Sequence, residues 1–392
     1  MGATVVISAH DVLQFPEGGG HLSAYLQYAR GLHSLGCEVW WLERLTASED
    51  AERDRRTAAE LSERLGRAGL PERLIVYAGD RDAERSFLTL TAAQAEAVMA
   101  GADLLLNFHY ELDTELLARF ARTALVDIDP GLLQLWVGEG HLKLSPHDLY
   151  FTTGDTVGTA DARFPSLAID WNHIRPPVSL EHWQVARQPP GDAFTTVSSW
   201  WSEEWVSDGE GGEWYENNKR VSFLEYVTLP GLVGSPLELA LNVAGIEQDD
   251  LDLLARHGWR VRPAGEVTAT PAAYQSYVGG SAGEFSCAKP SCMRLQNAWV
   301  SDRTICYLAS GRPAVVQHTG PSECLDGGLG ILRFSTLEEA AAAVEAVRAR
   351  YAEHCAGARD VAEQWFDARR VVGGILERAL GTGKATTGIE PV

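Results

Sequence analysis

Two groups of residues, far apart in the chain, have types and spacing suited to chemistry. The first is Ser301-Asp302-Arg303-Thr304. Ser and Asp suit the start of a helix, where unpaired backbone N–H groups and the positive end of the dipole favour an anion. Arg303 adds a planar, doubly donating partner that matches a phosphate. An apolar helix, a Gly-Arg-Pro turn and a β-branched strand follow, and the strand ends in the polar run Gln317-His318-Thr319-Gly320. The second group is Gly18-Gly19-Gly20-His21, which opens an apolar-periodic stretch from Leu22 to Leu35. A neutral imidazole can serve as a general base near pH 7, and a glycine turn at a helix start would hold His21 at the edge of a crevice.

The elements around these groups alternate. Thr4 to Ala9 reads as a buried strand, followed by the glycine turn, the helix, a stop at Gly36 and a strand from Glu38 to Leu42. That order opens a doubly wound parallel sheet. Leu74 to Tyr77, Ala102 to Asn107 and Thr123 to Ile128 are further strands, with helical patterns at Ala92 to Met99 and Glu115 to Arg122. Strand carboxyl ends border the ligand crevice in such sheets. Asp127 or Asp129 is therefore expected to orient His21, with Gly19, Gly20 and His109 facing a second reactant and His10, Asp11 and His109 as the alternatives to His21.

The proline-rich piece Arg175 to Pro190 divides the chain into residues 1–175, a linker at 176–191, a second domain at 192–375 and a tail at 376–392. Phe194 to Val197 and Trp259 to Arg262 read as strands of the second domain, and Lys219, Arg220 and Lys289 are the basic residues nearest its strand ends. At 392 residues and 45% hydrophobic, the chain is long enough for two cores. A net charge of −21 argues against a nucleic-acid partner. The six cysteines match no common zinc spacing and read as reduced thiols. No apolar run approaches the roughly 20 residues of a membrane span, and no signal region precedes the first strand, so a cytoplasmic location is expected.

The run GGGHLSAYLQYARGLHSLGCEV resembles the glycine-histidine turn and first helix of GT-B glycosyltransferases, and Gln296 to Gly320 resembles their donor half. The resemblance implies an α/β protein of two Rossmann-like domains facing across a cleft, the first for the acceptor and the second for a nucleotide sugar. It implies transfer of a sugar to a small-molecule or glycan acceptor with His21 as base, without a cofactor or metal. Lys219, Arg220 and Lys289, Ser301 to Thr304 and Gln317 to Gly320 then belong to the donor site, and Tyr274 to Glu284 surrounds the base. The last helix, around Trp365 to Leu376, is expected to cross back onto the first domain. One departure stands out: Cys306 occupies the place where many retaining relatives carry a ribose-binding glutamate, and a pair of glutamates eight apart is missing. That leaves the stereochemical outcome and the nucleotide open. A nicotinamide-dependent oxidoreductase would need glycine where Ser23 stands, and a non-catalytic sugar-nucleotide-binding protein would keep Arg303 but lack a working base.

Overall fold

The computed structural model describes residues 2–14, 19–70, 73–79, 84–207, 212–242, 248–326 and 328–381. Gly18, residues 208–211 of the acidic loop and the tail from 382 onward lie outside them.

Two parallel sheets carry the architecture. The first contains β1 (Thr4–Ser8), β2 (Glu38–Leu45), β3 (Leu74–Ala78), β4 (Ser86–Phe87), β5 (Leu104–Asn107), β6 (Thr123–Asp127), β7 (Leu149–Thr152) and β8 (Trp171–His173). Its spatial order is β4-β3-β2-β1-β5-β6-β7-β8, parallel throughout except for β4. The second sheet takes β9 (Phe194–Ser199), then, after a separate antiparallel hairpin of β10 (Trp205–Ser207) and β11 (Trp214–Glu216), β12 (Leu237–Asn242), β13 (Arg260–Pro263), β14 (Gly283–Ser286), β15 (Ala314–Gln317) and β16 (Ile331–Phe334). Its order is β13-β12-β9-β14-β15-β16, all parallel. In each sheet the first strand lies centrally and the chain then winds out both ways. The topological switch points, where such sheets leave a crevice, therefore fall between β1 and β5 and between β9 and β14.

Burial explains the strands. Val5, Val6 and Ile7 are fully enclosed, because helices cover both faces of a parallel sheet. The Gly19–Ser34 helix turns Leu22, Tyr25, Leu26, Ala29 and Leu32 onto the first core. The same core takes Val371, Val372, Ile375, Leu376 and Ala379 from the helix Ala368–Leu380, so the chain end packs on the first unit. At Gly31 the two helices touch: a Cβ there would lie 2.9 Å from the Ala368 carbonyl oxygen.

The structure differs from the sequence expectations in two places. The helical pattern at Glu115 to Arg122 is only one turn, Thr114–Leu117, capped by Asp113. Of the tail expected from residue 376, residues 376–380 are the end of the helix Ala368–Leu380. The proline-rich piece is also packed down along its length: Val178 exchanges backbone hydrogen bonds with Phe366 and Ala368, Ser179 N–H donates to Gln27, and Trp183 is buried. Its prolines lack only donors that the packing does not need.

Candidate active site

The switch point of the second sheet is held by Arg303. β9 and β14 pair only at Phe194 with Gly283 and Thr195 with Glu284. Beyond that the guanidinium bridges them, Nη1 donating to the Val197 carbonyl at 2.8 Å and Nη2 to Ser286 Oγ at 2.5 Å. Its Nε meets Glu284 Oε1 at 2.7 Å. All three nitrogens thus serve protein acceptors, which fixes the guanidinium across the two strands. The cause is Glu284, fully enclosed at the strand centre; a buried carboxylate demands a cation.

Ser301 is the N-cap of the helix Asp302–Ala309, its hydroxyl accepting from Arg303 N–H at 3.2 Å. A narrow cavity beside this helix start is lined by Ser286, Cys287, Ala288, Trp299, Val300, Ser301, Thr304, Gln317 and Thr319. Lys219, 7% exposed, adjoins it. Its ammonium donates to the Cys287 carbonyl and lies 5.4 Å from the centre of the Trp299 ring. Burial, and then the charge of Arg303, pushes the Lys219 pKa down to about 8. Arg220 points elsewhere, pairing with Asp250 at 2.6 and 3.0 Å, so the two neighbouring cations do not act together. Lys289 pairs with Glu204 at 2.5 Å; although burial opposes its charge, Glu204 and Asp129 hold its pKa above the ordinary value.

The polar strand end is engaged from behind. Gln317 accepts from Ala288 N–H at 2.7 Å, and Thr319 Oγ1 donates to the Trp299 carbonyl at 2.7 Å. His318 is half-buried, its N–H extending the pairing to Phe334. Gly320 has φ 136°, and a Cβ on it would lie 2.4 Å from the Gln296 carbonyl oxygen, so only glycine fits. Thr304 is buried on the helix. Tyr274, from the expected base-binding segment, lies in the apolar cluster with Trp183 and Tyr307.

At the other switch point, His21 stands in the first turn of the Gly19–Ser34 helix, after Gly19 and Gly20. Its Nε2 donates to the His10 carbonyl at 2.6 Å. A carbonyl can only accept, so the bond selects the Nε2–H tautomer and makes Nδ1 the basic nitrogen. Burial lowers the His21 pKa, so the ring is neutral near pH 7. The acids that act on it are Asp302, from the second unit, and then Asp11, and not Asp127 or Asp129. Burial pushes Asp302 above the usual carboxylate range, against the pull of Arg303 and His21.

Asp127 is fully buried and accepts from Gln134 Nε2 and Thr152 Oγ1, both at 2.9 Å, which corrects its expected place behind His21. Burial raises it to about 7, the hydrogen bonds from Gln134 and Thr152 opposing. Asp129, also raised by burial, accepts from the Tyr110 hydroxyl at 3.4 Å and feels Lys289. His109, expected on an acceptor loop, is 1% exposed and packs edge-on against His10 at 4.8 Å between ring centres. Burial, then the charges of His10 and Arg44, pushes its pKa down to about 3.

Residues of the two units meet beside these groups: Asn297 Nδ2 donates to the Pro130 carbonyl at 2.6 Å and Thr156 Oγ1 to the Gln296 carbonyl at 3.1 Å. No protein-family model and no curated protein matches the chain in sequence. Solved structures do match in fold. An alpha-glucosyltransferase in complex with UDP and a 13-mer DNA superposes with a TM-score of 0.62 at 11% identity, over 96% of this chain and 99% of that one. The Anabaena protein Alr3699/HepE in complex with UDP-glucose gives 0.55 at 12%, over 96% and 98%. Sucrose-phosphate synthase from Thermosynechococcus elongatus gives 0.56 at 13%, over 96% and 98%. The chain has the GT-B fold.

That GT-B likeness overturns one expectation. A chain of the same fold was solved on DNA, so a net charge of −21 does not exclude a nucleic-acid partner. Net charge sums the whole surface, whereas phosphates are met by one face. A groove lined by His173, Arg175, Trp365, Arg370 and Arg378 gathers three arginines, of which Arg175 is paired with Asp155. Among the described residues, no helix is long and apolar enough to cross a membrane.

Sequence reasoning missed Glu284, Glu204 and Trp299. Glu284 alone carried a signal, as the one charged residue between Glu266 and Lys289; its partner stands 19 residues away.

Proposed function

We infer that this protein is a glycosyltransferase that takes its sugar from a nucleoside diphosphate sugar, with UDP the first nucleotide to test. The observation that carries the reading is the pairing of two built crevices: a helix start beside a buried lysine at one switch point, and a neutral histidine with a fixed tautomer at the other. Glycosyl transfer needs positive charge at the leaving diphosphate and a base at the acceptor hydroxyl. Lys219, the N-terminus of the Asp302–Ala309 helix and, beyond Glu204, Lys289 supply the charge. Arg303 shapes the crevice between β9 and β14 instead of gripping phosphate. His21 Nδ1 accepts the proton of the acceptor hydroxyl as the bond to the sugar forms and the sugar–phosphate bond breaks; the imidazolium then faces the Asp302 charge. The UDP complexes among the fold neighbours support the nucleotide.

The test is release of UDP from UDP-sugars by the purified chain, with and without sugar alcohols, oligosaccharides and duplex DNA as acceptors. Acceptor-dependent release supports transfer. Tight nucleotide binding without turnover on any donor would favour the non-catalytic binding protein instead.

A further inference from the structure

His10 and Asp11 follow β1, and His109 follows β5, so the two central strands of the first sheet deliver all three to its switch point. One ligand atom from each lies within 4.8 Å of the others. His10 Nε2 and Asp11 Oδ2 are 3.5 Å apart. Asp11 sits at φ 53°, a left-handed conformation that costs a non-glycine residue about 1–3 kcal/mol and persists at functional sites. The turn is pinned there, Val12 N–H donating to Glu43 at 2.8 Å and Gln14 N–H to the Asp11 carbonyl at 3.1 Å.

His109 supplies the second, independent observation. Its ring is enclosed, yet neither Nδ1 nor Nε2 has a hydrogen-bond partner among the described residues. His10 Nδ1 and Asp11 Oδ1 are likewise buried and unpartnered. Buried polar atoms are almost always satisfied, and four orphans in one place are costly. A cation bound between the three side chains would engage the ring nitrogen and the carboxylate at once.

We propose that His10, Asp11 and His109 form a site for one divalent ion of the zinc class. Two imidazoles and a carboxylate suit zinc, cobalt or nickel better than magnesium or calcium, which prefer oxygen. Three protein ligands leave a fourth position open, the pattern of a catalytic rather than a structural zinc. Bonds of about 2.0–2.2 Å draw the ligand atoms closer than they now stand; half-exposed His10 and the Asp11 carboxylate, 42% and 20% exposed, have the freedom to turn inward. The surrounding charges are mixed. Arg44 acts on His109 against a cation, whereas Glu43 acts on Asp11 and Asp129 on His10 in its favour. The site adjoins His21 through the His10 carbonyl, so a hydroxyl or water taking the open position would be acidified beside the base. The site does not depend on the sugar-nucleotide reading, since its test needs no nucleotide.

The experiment strips the full chain with chelator and measures zinc uptake by equilibrium dialysis, with cobalt as a spectroscopic probe. The expected result is one ion per chain, visible cobalt bands of four-coordinate nitrogen and oxygen ligation, and at least a tenfold loss of affinity in both His10→Ala and Asp11→Asn. These two residues are only partly buried, so the variants remain informative if His109→Gln fails to fold; circular dichroism checks each. Uptake well below one ion per chain, or uptake unchanged in both variants, or thiolate bands showing cobalt on cysteine, overturns the site.

Discussion

Arg303 and Glu284 form an ion pair, Nε to Oε1 at 2.7 Å, across the point where β9 and β14 stop pairing. Removing one partner of a buried pair leaves the other charge stranded. Arg303→Ala or Glu284→Ala is therefore expected to cost about 3–5 kcal/mol of folding stability, whereas Arg303→Ala with Glu284→Leu recovers much of it. Urea midpoints of the three variants check this. Single variants as stable as the parent would remove the pair from its place at the switch point.

His21→Ala should lower turnover by roughly 10²–10⁴-fold, as loss of a positioned base does, and leave UDP affinity within a factor of two or so. Steady-state rates set beside calorimetry separate the two effects. Asp127→Asn, whose carboxylate is held by Gln134 and Thr152 instead of His21, should not reproduce that loss.

Asp127 makes a different prediction. Burial raises its pKa from 3.8 to about 7, and Glu43 is raised to about 7 for the same reason. Both folded values exceed the unfolded ones, so the folded state holds protons that the unfolded state has released. The stabilising contribution is full below about pH 4 and is lost as pH rises through 7. Asp127→Asn should flatten the fall in stability between these limits, measured as melting temperature against pH. An unchanged slope would mean that Asp127 is ionised when folded.

Lys219 carries its pKa down to about 8, first through burial and then through Arg303. As an ammonium facing phosphate, it should bind UDP best below that value and lose affinity as pH climbs past it. Calorimetry at pH 6.5 and 9 checks the trend, and Lys219→Met should abolish it.

What could be read from the residues, and what could not, follows physical lines. β1 and the helix after it announce themselves because Val5, Val6 and Ile7 form an apolar, β-branched run and the 3.6-residue period of Leu22, Tyr25, Leu26 and Ala29 is clean. β12 escapes notice because Leu-Glu-Leu-Ala-Leu favours a helix by propensity and is a strand only through pairing on both sides. Ser301 as a cap is local and legible. The direction of the Arg303 side chain is not, since Val197, Glu284 and Ser286 arrive from strands distant in sequence. The partner of His21 is a backbone carbonyl, which no residue type can reveal.

The central claim is that a nucleoside diphosphate binds at the start of the Asp302–Ala309 helix beside Lys219. Calorimetric titration of UDP, GDP and dTDP into the parent chain and into Lys219→Met tests it most directly. The expected result is one nucleotide per chain with UDP or a close analogue preferred, weakened about tenfold or more by the loss of one charge-assisted contact. Binding of none of the three, or equal affinity in Lys219→Met, would contradict it.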